Sequence, residues 1–304
     1  MDRAGLRLVF PLGNLLQSCP YNCRFCGVKT TLQTSADEAR RRFDELWAAY
    51  RQLGGGPFHP VIYNGGNVTN PREFSSELLL HVLETFRGER DIQYLSLNSR
   101  EADASPEVLD RLASLYLPYP MHFIFGVESF SARAAQLLGK DTRGELHRFI
   151  AKLKPRNLGQ RKLRPAPKSY LFGLDVNLVF LPELYLEDGH LRQGHASEIE
   201  RGIVRDLEHL LAAADPDVPI QVNLHPFYWV PALPFADSSL AQLIGILPAL
   251  QALVERHNVP GNRAPSHLFV GVEGTGYGGD DWRRQIDAWG TLIDEFNRTG
   301  AIRC

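Results

Sequence analysis

Short apolar runs alternate along the chain with amphipathic stretches of helical period, and the order is strand then helix. The first run, residues 6–16, precedes a cysteine-rich loop. Ser35 with Glu38 then forms a capping box for a helix closing near Gly54, with Phe43, Trp47 and Tyr50 as its apolar stripe. Residues 60–63 read as the next strand, ending at Asn64-Gly65-Gly66. A helix is expected from Asn70 as N-cap, with Pro71 at N1 and Glu73 at N3. Residues 94–97 make a third strand, and Ser105-Pro106 opens a helix. Residues 122–127 and 171–180 make the fourth and fifth strands. A Ser197 and Glu200 capping box opens a long helix, 220–224 is the sixth strand, and 268–272 is a candidate seventh. Repeated strand-helix units in this order predict an α/β fold, a partial (β/α)6-type TIM-like barrel with a C-terminal extension. Residues 1–230 are expected to form the barrel core, and 231–304 an extension packed on the same domain.

Two stretches break the rhythm. Residues 152–168 carry seven basic side chains (Lys152, Lys154, Arg156, Arg161, Lys162, Arg164 and Lys168) and three prolines, which reads as an irregular basic insert, either a solvated loop or a lid near an anion. Residues 271–281 hold five glycines and read as a flexible loop after the last strand.

Composition excludes several classes. A chain of 304 residues with 44% hydrophobic and 22% charged residues is ordinary globular protein, neither disordered nor fibrous. A formal charge of -2 argues against a broad electrostatic grip on nucleic acid or anionic membrane. No apolar run approaches a membrane span and no signal-type segment opens the chain, so a cytoplasmic protein is expected. Four cysteines are too few for a disulfide scaffold, and three of them fall in Cys19-Pro-Tyr-Asn-Cys23-Arg-Phe-Cys26. Three thiolates suit a centre that keeps one coordination position open. A zinc knuckle completed by histidine is the competing reading, but no histidine precedes His59.

The Cys-x3-Cys-x2-Cys spacing, with the aromatic Phe25 before the last cysteine, resembles the signature of the radical S-adenosylmethionine superfamily. That resemblance implies a 4Fe-4S cluster on Cys19, Cys23 and Cys26, and S-adenosyl-L-methionine (SAM) chelated at the fourth iron. It also implies a 5'-deoxyadenosyl radical that abstracts hydrogen from a substrate. Asn64-Gly65-Gly66-Asn67 is similar to the turn that meets the SAM amine, where glycine permits close approach. Asn98, at the end of Leu95-Ser96-Leu97-Asn98, is similar to the residue facing the methionyl group. Phe125-Gly126-Val127-Glu128-Ser129 resembles the branch that includes coproporphyrinogen dehydrogenase and the Elongator catalytic subunit, which implies that Glu128 contacts the SAM ribose. Lys140 is implied as partner of the SAM carboxylate, and Asn177 or Asp175 as a second ribose contact.

Beyond residue 224 the resemblance fades. His225, Tyr228 and Trp229 after the sixth strand, and Glu273 after the last, are candidates for the substrate pocket or for packing. Cys304 reads as a free tail thiol. No cobalamin-type segment precedes the motif and no appended module follows it, so a small polar metabolite is the expected substrate. A flavodoxin or ferredoxin type electron donor is implied as partner. Modification of a nucleoside in RNA and a non-catalytic, zinc-stabilised binding module are the alternatives.

Overall fold

The computed structural model describes residues 6–12, 34–52, 56–64, 66–163, 170–180, 184–187, 190–193, 196–226, 240–258, 266–271 and 279–301. Nine strands occur among them: β1 (Leu6–Pro11), β2 (Phe58–Tyr63), β3 (Leu95–Asn98), β4 (Met121–Glu128), β5 (Phe172–Phe180), β6 (Leu184–Glu187), β7 (His190–Gln193), β8 (Ile220–Pro226) and β9 (His267–Val270). Eight α-helices accompany them: α1 (Ala36–Gln52), α2 (Ser76–Arg87), α3 (Pro106–Ala113), α4 (Ala132–Leu138), α5 (Arg143–Leu163), α6 (Ala196–Ala213), α7 (Leu240–His257) and α8 (Gly279–Thr299).

Seven strands form one sheet in the order β1-β2-β3-β4-β5-β8-β9, every pair parallel. Strands that follow one another in the chain thus lie side by side and always advance in one direction, the winding of a barrel rather than of a two-sided sheet. The sheet curls. Arg7 on the edge strand β1 lies 4.5 Å over the ring of Phe269 on the opposite edge strand β9, and Tyr94 beside β3 hydrogen-bonds Gln221 on β8. The seven strands therefore make a partial barrel, with β9 in the place the sequence marks for a seventh strand.

The pleat divides the residues between two faces. Phe10, Ile62, Leu95, Leu97, Phe123, Leu174, Val176, Leu178, Val222, Leu224 and Val270 point outward and are buried against the helices, where they meet Phe43, Val82, Phe86, Leu109, Phe149, Leu207, Leu247 and Phe296. Each such side chain contributes on the order of 1.5–3 kcal/mol through burial. The inner face carries the polar groups. Arg7, His59, Ser96, Asn98, His122, Asp175, Asn177, Gln221, Asn223 and His225 alternate with that apolar set in register across the sheet.

The base of the barrel, at the N-terminal ends of the strands, is closed by a layer of these polar groups. Ser96 donates to Asp175, His122 Nδ1 lies 2.8 Å from the other carboxylate oxygen, and His59 Nε2 lies 2.7 Å from Ser96 Oγ. Tyr170 stands 3.2 Å from His122 Nε2. Gly173 leaves room for His122, because a Cβ there would collide with the imidazole. Burial works to raise the Asp175 carboxyl, but His122, His59 and Arg7 outweigh it and hold the group below the ordinary carboxylate value. His59 is driven well below the usual histidine value by burial.

The expected helix starts at Ser35 and Ser105 are present. Ser35 Oγ accepts from Glu38 N at 3.2 Å, and Ser105 accepts from Val108 N. Four expectations need correction. Asn70 does not cap α2: Glu73 N and Phe74 N both bond back to Asn70 O at 2.9 Å as a single turn, and Ser75 caps the helix by accepting from Leu78 N. Glu73 cannot sit in a first helical turn, because its carboxylate is drawn inward to Arg100 and to Asn67 N. Ser197 lies inside α6, which begins at Ala196, rather than before it.

The basic stretch is the third correction. Residues 152–163 continue α5 rather than forming an irregular insert, and Pro155 sits inside that helix. A mid-helix proline costs ~3 kcal/mol in isolation, and tertiary contacts offset it here. Leu146, Phe149, Ile150 and Leu153 are buried, and Asn157 bonds Phe172 O and Asp217 O while accepting from Leu171 N and Phe172 N. Residues 164–169 lie outside the described residues. The strand-then-helix order is also interrupted: β6 and β7 form an antiparallel hairpin between β5 and α6.

Candidate active site

The candidate site is the barrel mouth, at the C-terminal ends of the parallel strands, where barrels of this type place their chemistry. Its first component is the turn after β2. Asn98, at the end of β3, accepts from Asn64 N at 3.1 Å and donates to Asn64 O at 3.2 Å and to Gly66 O. One side-chain amide thus clamps the backbone on both sides of position 65. Gly65 itself lies outside the described residues.

A second polar group braces the same turn from behind. Asn67 is buried and turned away from the mouth. It donates to Asp103, accepts from Thr69 N at 3.1 Å and Thr69 Oγ1 at 2.9 Å, and its own N–H bonds Glu73. Asn70 joins Glu73 to Asp103, and Arg100 bridges the same two carboxylates. Ser99 bonds Thr69 at 2.8 Å and ties the network to the end of β3. Charges this enclosed are retained only when paired, and here every member is held by another. Asn67 therefore supports the turn.

The third component follows β4. Glu128 has φ of 67°, in the left-handed region that glutamate rarely adopts. The β4-β5 register shifts between Gly126 and Glu128 at the same point. Lys140 Nζ lies 2.7 Å from Glu128 Oε1, and the two side chains are 15% and 8% exposed. Gly126 beneath them is required for space, since a Cβ would collide with both the carboxylate and the ammonium. Lys140 is brought back by the end of α4: Gly139 takes φ of 70°, and Lys140 N bonds Ala135 O at 3.0 Å. Thr142 Oγ1 bonds Gly126 O at 2.7 Å.

Asp206 on α6 fixes the chain just beyond Glu128. It accepts from Ser129 Oγ at 2.5 Å. Burial raises its carboxyl above the ordinary value, against the opposing pull of that bond. Neither Asp206 nor the network around Glu73 stood out in the sequence.

The two ribose candidates separate. Asn177 is half-buried on the inner face of β5 and accepts from Asn223 Nδ2 at 3.1 Å. Asp175, two residues earlier, lies fully buried in the base layer with its oxygens taken by Ser96 and His122, away from the mouth. His225 is the penultimate residue of β8, half-buried.

Cys19, Cys23, Cys26 and Phe25 lie outside the described residues, as do Tyr228, Trp229, Glu273 and Cys304. Both ends of the cysteine segment are described. Leu12 N bonds Tyr63 O at 3.1 Å, continuing the β1-β2 ladder, and Thr34 Oγ1 bonds Leu12 O at 3.3 Å. Positions 12 and 34 therefore meet at the C-terminal end of β1, next to the Asn64 turn.

Three cations of the basic stretch are engaged by acids. Lys152 pairs with Glu101, Lys154 with Asp215, and Arg156 with Asp110. No described helix is long and apolar enough to cross a membrane.

No protein-family model matches the chain, and no curated protein matches it in sequence. Among solved structures it is similar to a radical SAM methyltransferase from Sphaerobacter thermophilus. Identity is 15%, over 86% of this chain and 67% of that one, with a TM-score of 0.48. It is also similar to a point mutant of spore photoproduct lyase, at 10% identity over 83% of this chain and 74% of that one, again with a TM-score of 0.48. At such identity neither likeness speaks to substrate or to the role of any residue.

Proposed function

We propose that this chain is a radical SAM enzyme acting on a small polar metabolite. The observation that carries the reading is the junction of Leu12 with Thr34. It tethers both ends of the segment bearing Cys19, Cys23 and Cys26 beside the Asn64 turn, at the mouth that also holds Asn98, Glu128, Lys140 and Asn177.

The donor set fits SAM. An ammonium for a carboxylate, a carboxylate for hydroxyls, a side-chain amide and a turn with fixed backbone polarity are what a zwitterion joined to a ribose requires. Cys19, Cys23 and Cys26 would hold the cluster, and with SAM bound it supplies hydrogen-atom abstraction. The chain's own contribution is orientation: Lys140 as a point charge, Glu128 as acceptor, and Asn98 through the turn it clamps. The apolar shell behind the strands keeps that frame rigid. A flavodoxin or ferredoxin type protein is proposed as electron donor.

Three of the seven cations of the basic stretch, Lys152, Lys154 and Arg156, are paired with acids, which favours the small-metabolite reading over RNA. Anaerobic reconstitution with iron and sulfide, followed by SAM under dithionite, tests the reading. About four irons per chain together with 5'-deoxyadenosine are expected. One zinc per chain, with no SAM cleavage, would overturn it in favour of the metal-stabilised binding module.

A further inference from the structure

We infer that Tyr94, at the base of the barrel, fixes the polarity of Asn177 at its mouth, so that Asn177 meets its ligand as a hydrogen-bond donor. The connection runs along the inner face. Asp175 pairs with Gln221, and Asn177 with Asn223, directly across β5 and β8, so Gln221 and Asn223 stand one above the other beside Asn177. The Tyr94 hydroxyl donates to Gln221 Oε1. Gln221 Nε2 then donates to Asn223 Oδ1 at 2.9 Å, and Asn223 Nδ2 to Asn177 Oδ1 at 3.1 Å.

Each amide has one accepting and one donating end, so the orientation of one dictates the next. The direction is set where the series starts, because a phenol keeps its proton and must place it. Burial raises the Tyr94 hydroxyl well above its ordinary value, and the nearby Asp175 charge adds to this. Reversal of the series would turn the phenol oxygen into an acceptor from Gln221 and take from its proton the oxygen it now bonds. Tyr94, Gln221 and Asn223 are all buried, so water cannot complete a reversed arrangement.

Asn177 is the half-buried end of the series. Its Oδ1 is occupied by Asn223, and its Nδ2 faces no partner among the described residues. What it can receive is an acceptor: a hydroxyl, ether, carbonyl or carboxylate oxygen, or an unprotonated ring nitrogen. An ammonium or amide N–H facing Nδ2 would meet another donor. With SAM as ligand, which rests on the function proposed above, the acceptor belongs to its ribose, adenine or carboxylate. Tyr94 is thus a positioning residue, remote from the ligand.

Titration calorimetry of SAM into the reconstituted protein, with amide exchange in protein labelled with 15N-asparagine, tests this. Asn177→Asp keeps the bond from Asn223 but turns an acceptor to the mouth, and is expected to weaken SAM about tenfold or more. Tyr94→Phe keeps the ring, which stacks between His59 and His122, and frees the series to reverse. A loss of about threefold to tenfold is expected. In an Asn177→Ala background Tyr94→Phe should add nothing, whereas a general structural defect would weaken binding equally in both. Independently of any ligand, the Asn177 side-chain amide protons should exchange with solvent much faster than those of Asn223. Equal protection of the two amides, an unaltered affinity in Asn177→Asp, or the same Tyr94→Phe loss in both backgrounds would overturn the inference. Absence of SAM binding in every protein, with the exchange difference intact, would support the polarity and overturn only the radical SAM reading.

Discussion

Gly126→Ala isolates the space beneath the Glu128–Lys140 pair. Gly126 does not adopt a positive φ, so alanine meets no backbone objection there, and the whole penalty comes from its Cβ. That carbon would collide with Glu128 Oε1 and Lys140 Nζ, the far ends of two side chains, and the pair must shift from its present geometry. At 8% and 15% exposure this is not a surface pair of negligible worth. A hydrogen bond between charged groups in such a setting contributes about 1.5–3 kcal/mol. Replacing glycine with alanine returns about 0.4–1 kcal/mol by restricting the unfolded chain. The difference is a net destabilisation of about 0.5–2.6 kcal/mol, which at a urea slope of about 3 kcal/mol per molar lowers the midpoint by about 0.2–0.9 M. SAM affinity, measured by calorimetry on the reconstituted protein, should fall as well, because both displaced groups are proposed ligands. In a background of Glu128→Gly with Lys140→Ala, where neither group stands over position 126, Gly126→Ala should recover the alanine gain. The sign is the decisive quantity. A midpoint that rises in the single variant would mean that only the unfolded-state term acts, and that the two charges do not stand over Gly126.

Other perturbations separate backbone strain, proton linkage and turn support. Glu128→Gly and Glu128→Ala both delete the carboxylate, but only glycine accepts φ of 67° without penalty, so the glycine variant should be the more stable by about 1–2 kcal/mol in urea unfolding. Equal stabilities would remove the strain. Asp206 keeps its proton to higher pH in the folded chain than in the unfolded one. Stability should therefore fall as pH rises from the ordinary aspartate value through the raised one, then level off. Asp206→Asn should lack that slope, and parallel stability profiles for the two proteins would refute the linkage. Asn98→Asp retains the bond from Asn64 N but sets a carboxylate against Asn64 O and Gly66 O. A loss of about 2–3 kcal/mol is expected, seen as a melting point lower by about 4–10 °C, and an unchanged melting point would show that Asn98 does not hold the turn.

The parts of this fold that could be read from the sequence are those governed by neighbours a few residues away. Ser35 and Ser105 cap because an N-cap bond spans three residues, and the outward strand faces show as alternation of two. Asn70 misleads for the same reason: Asn-Pro-x-Glu satisfies the local rule for a helix start, but Glu73 is drawn to Arg100, 27 residues away. The proline and charge density of residues 152–163 likewise outweigh the apolar stripe of α5, whose seating depends on Asn157 reaching Phe172 and Asp217. At the site, the positive φ of Glu128 leaves no trace in residue type, and Asp206 meets Ser129 across a separation of 77 residues. One available signal went unused. Leu95-Ser96-Leu97-Asn98, Leu174-Asp175-Val176-Asn177 and Ile220-Gln221-Val222-Asn223 place polar groups on alternate positions of strands whose other face packs on helices, which marks a polar barrel interior.

That interior divides labour along the strand direction. At the base, Asp175, His122, Ser96 and His59 satisfy one another in a closed layer. At the mouth, Glu128 and Asn177 are each anchored on one side, by Lys140 and by Asn223. The difference follows from where polarity must be conserved. A group meant to meet a ligand in a defined orientation needs one end fixed by the protein and the other unspent, whereas a group that only seals the barrel needs every bond made internally. Asp175 and Asn177, two residues apart on one strand, fall on opposite sides of that line. The shared face of β5 therefore does not by itself make a residue part of the site; depth along the strand does.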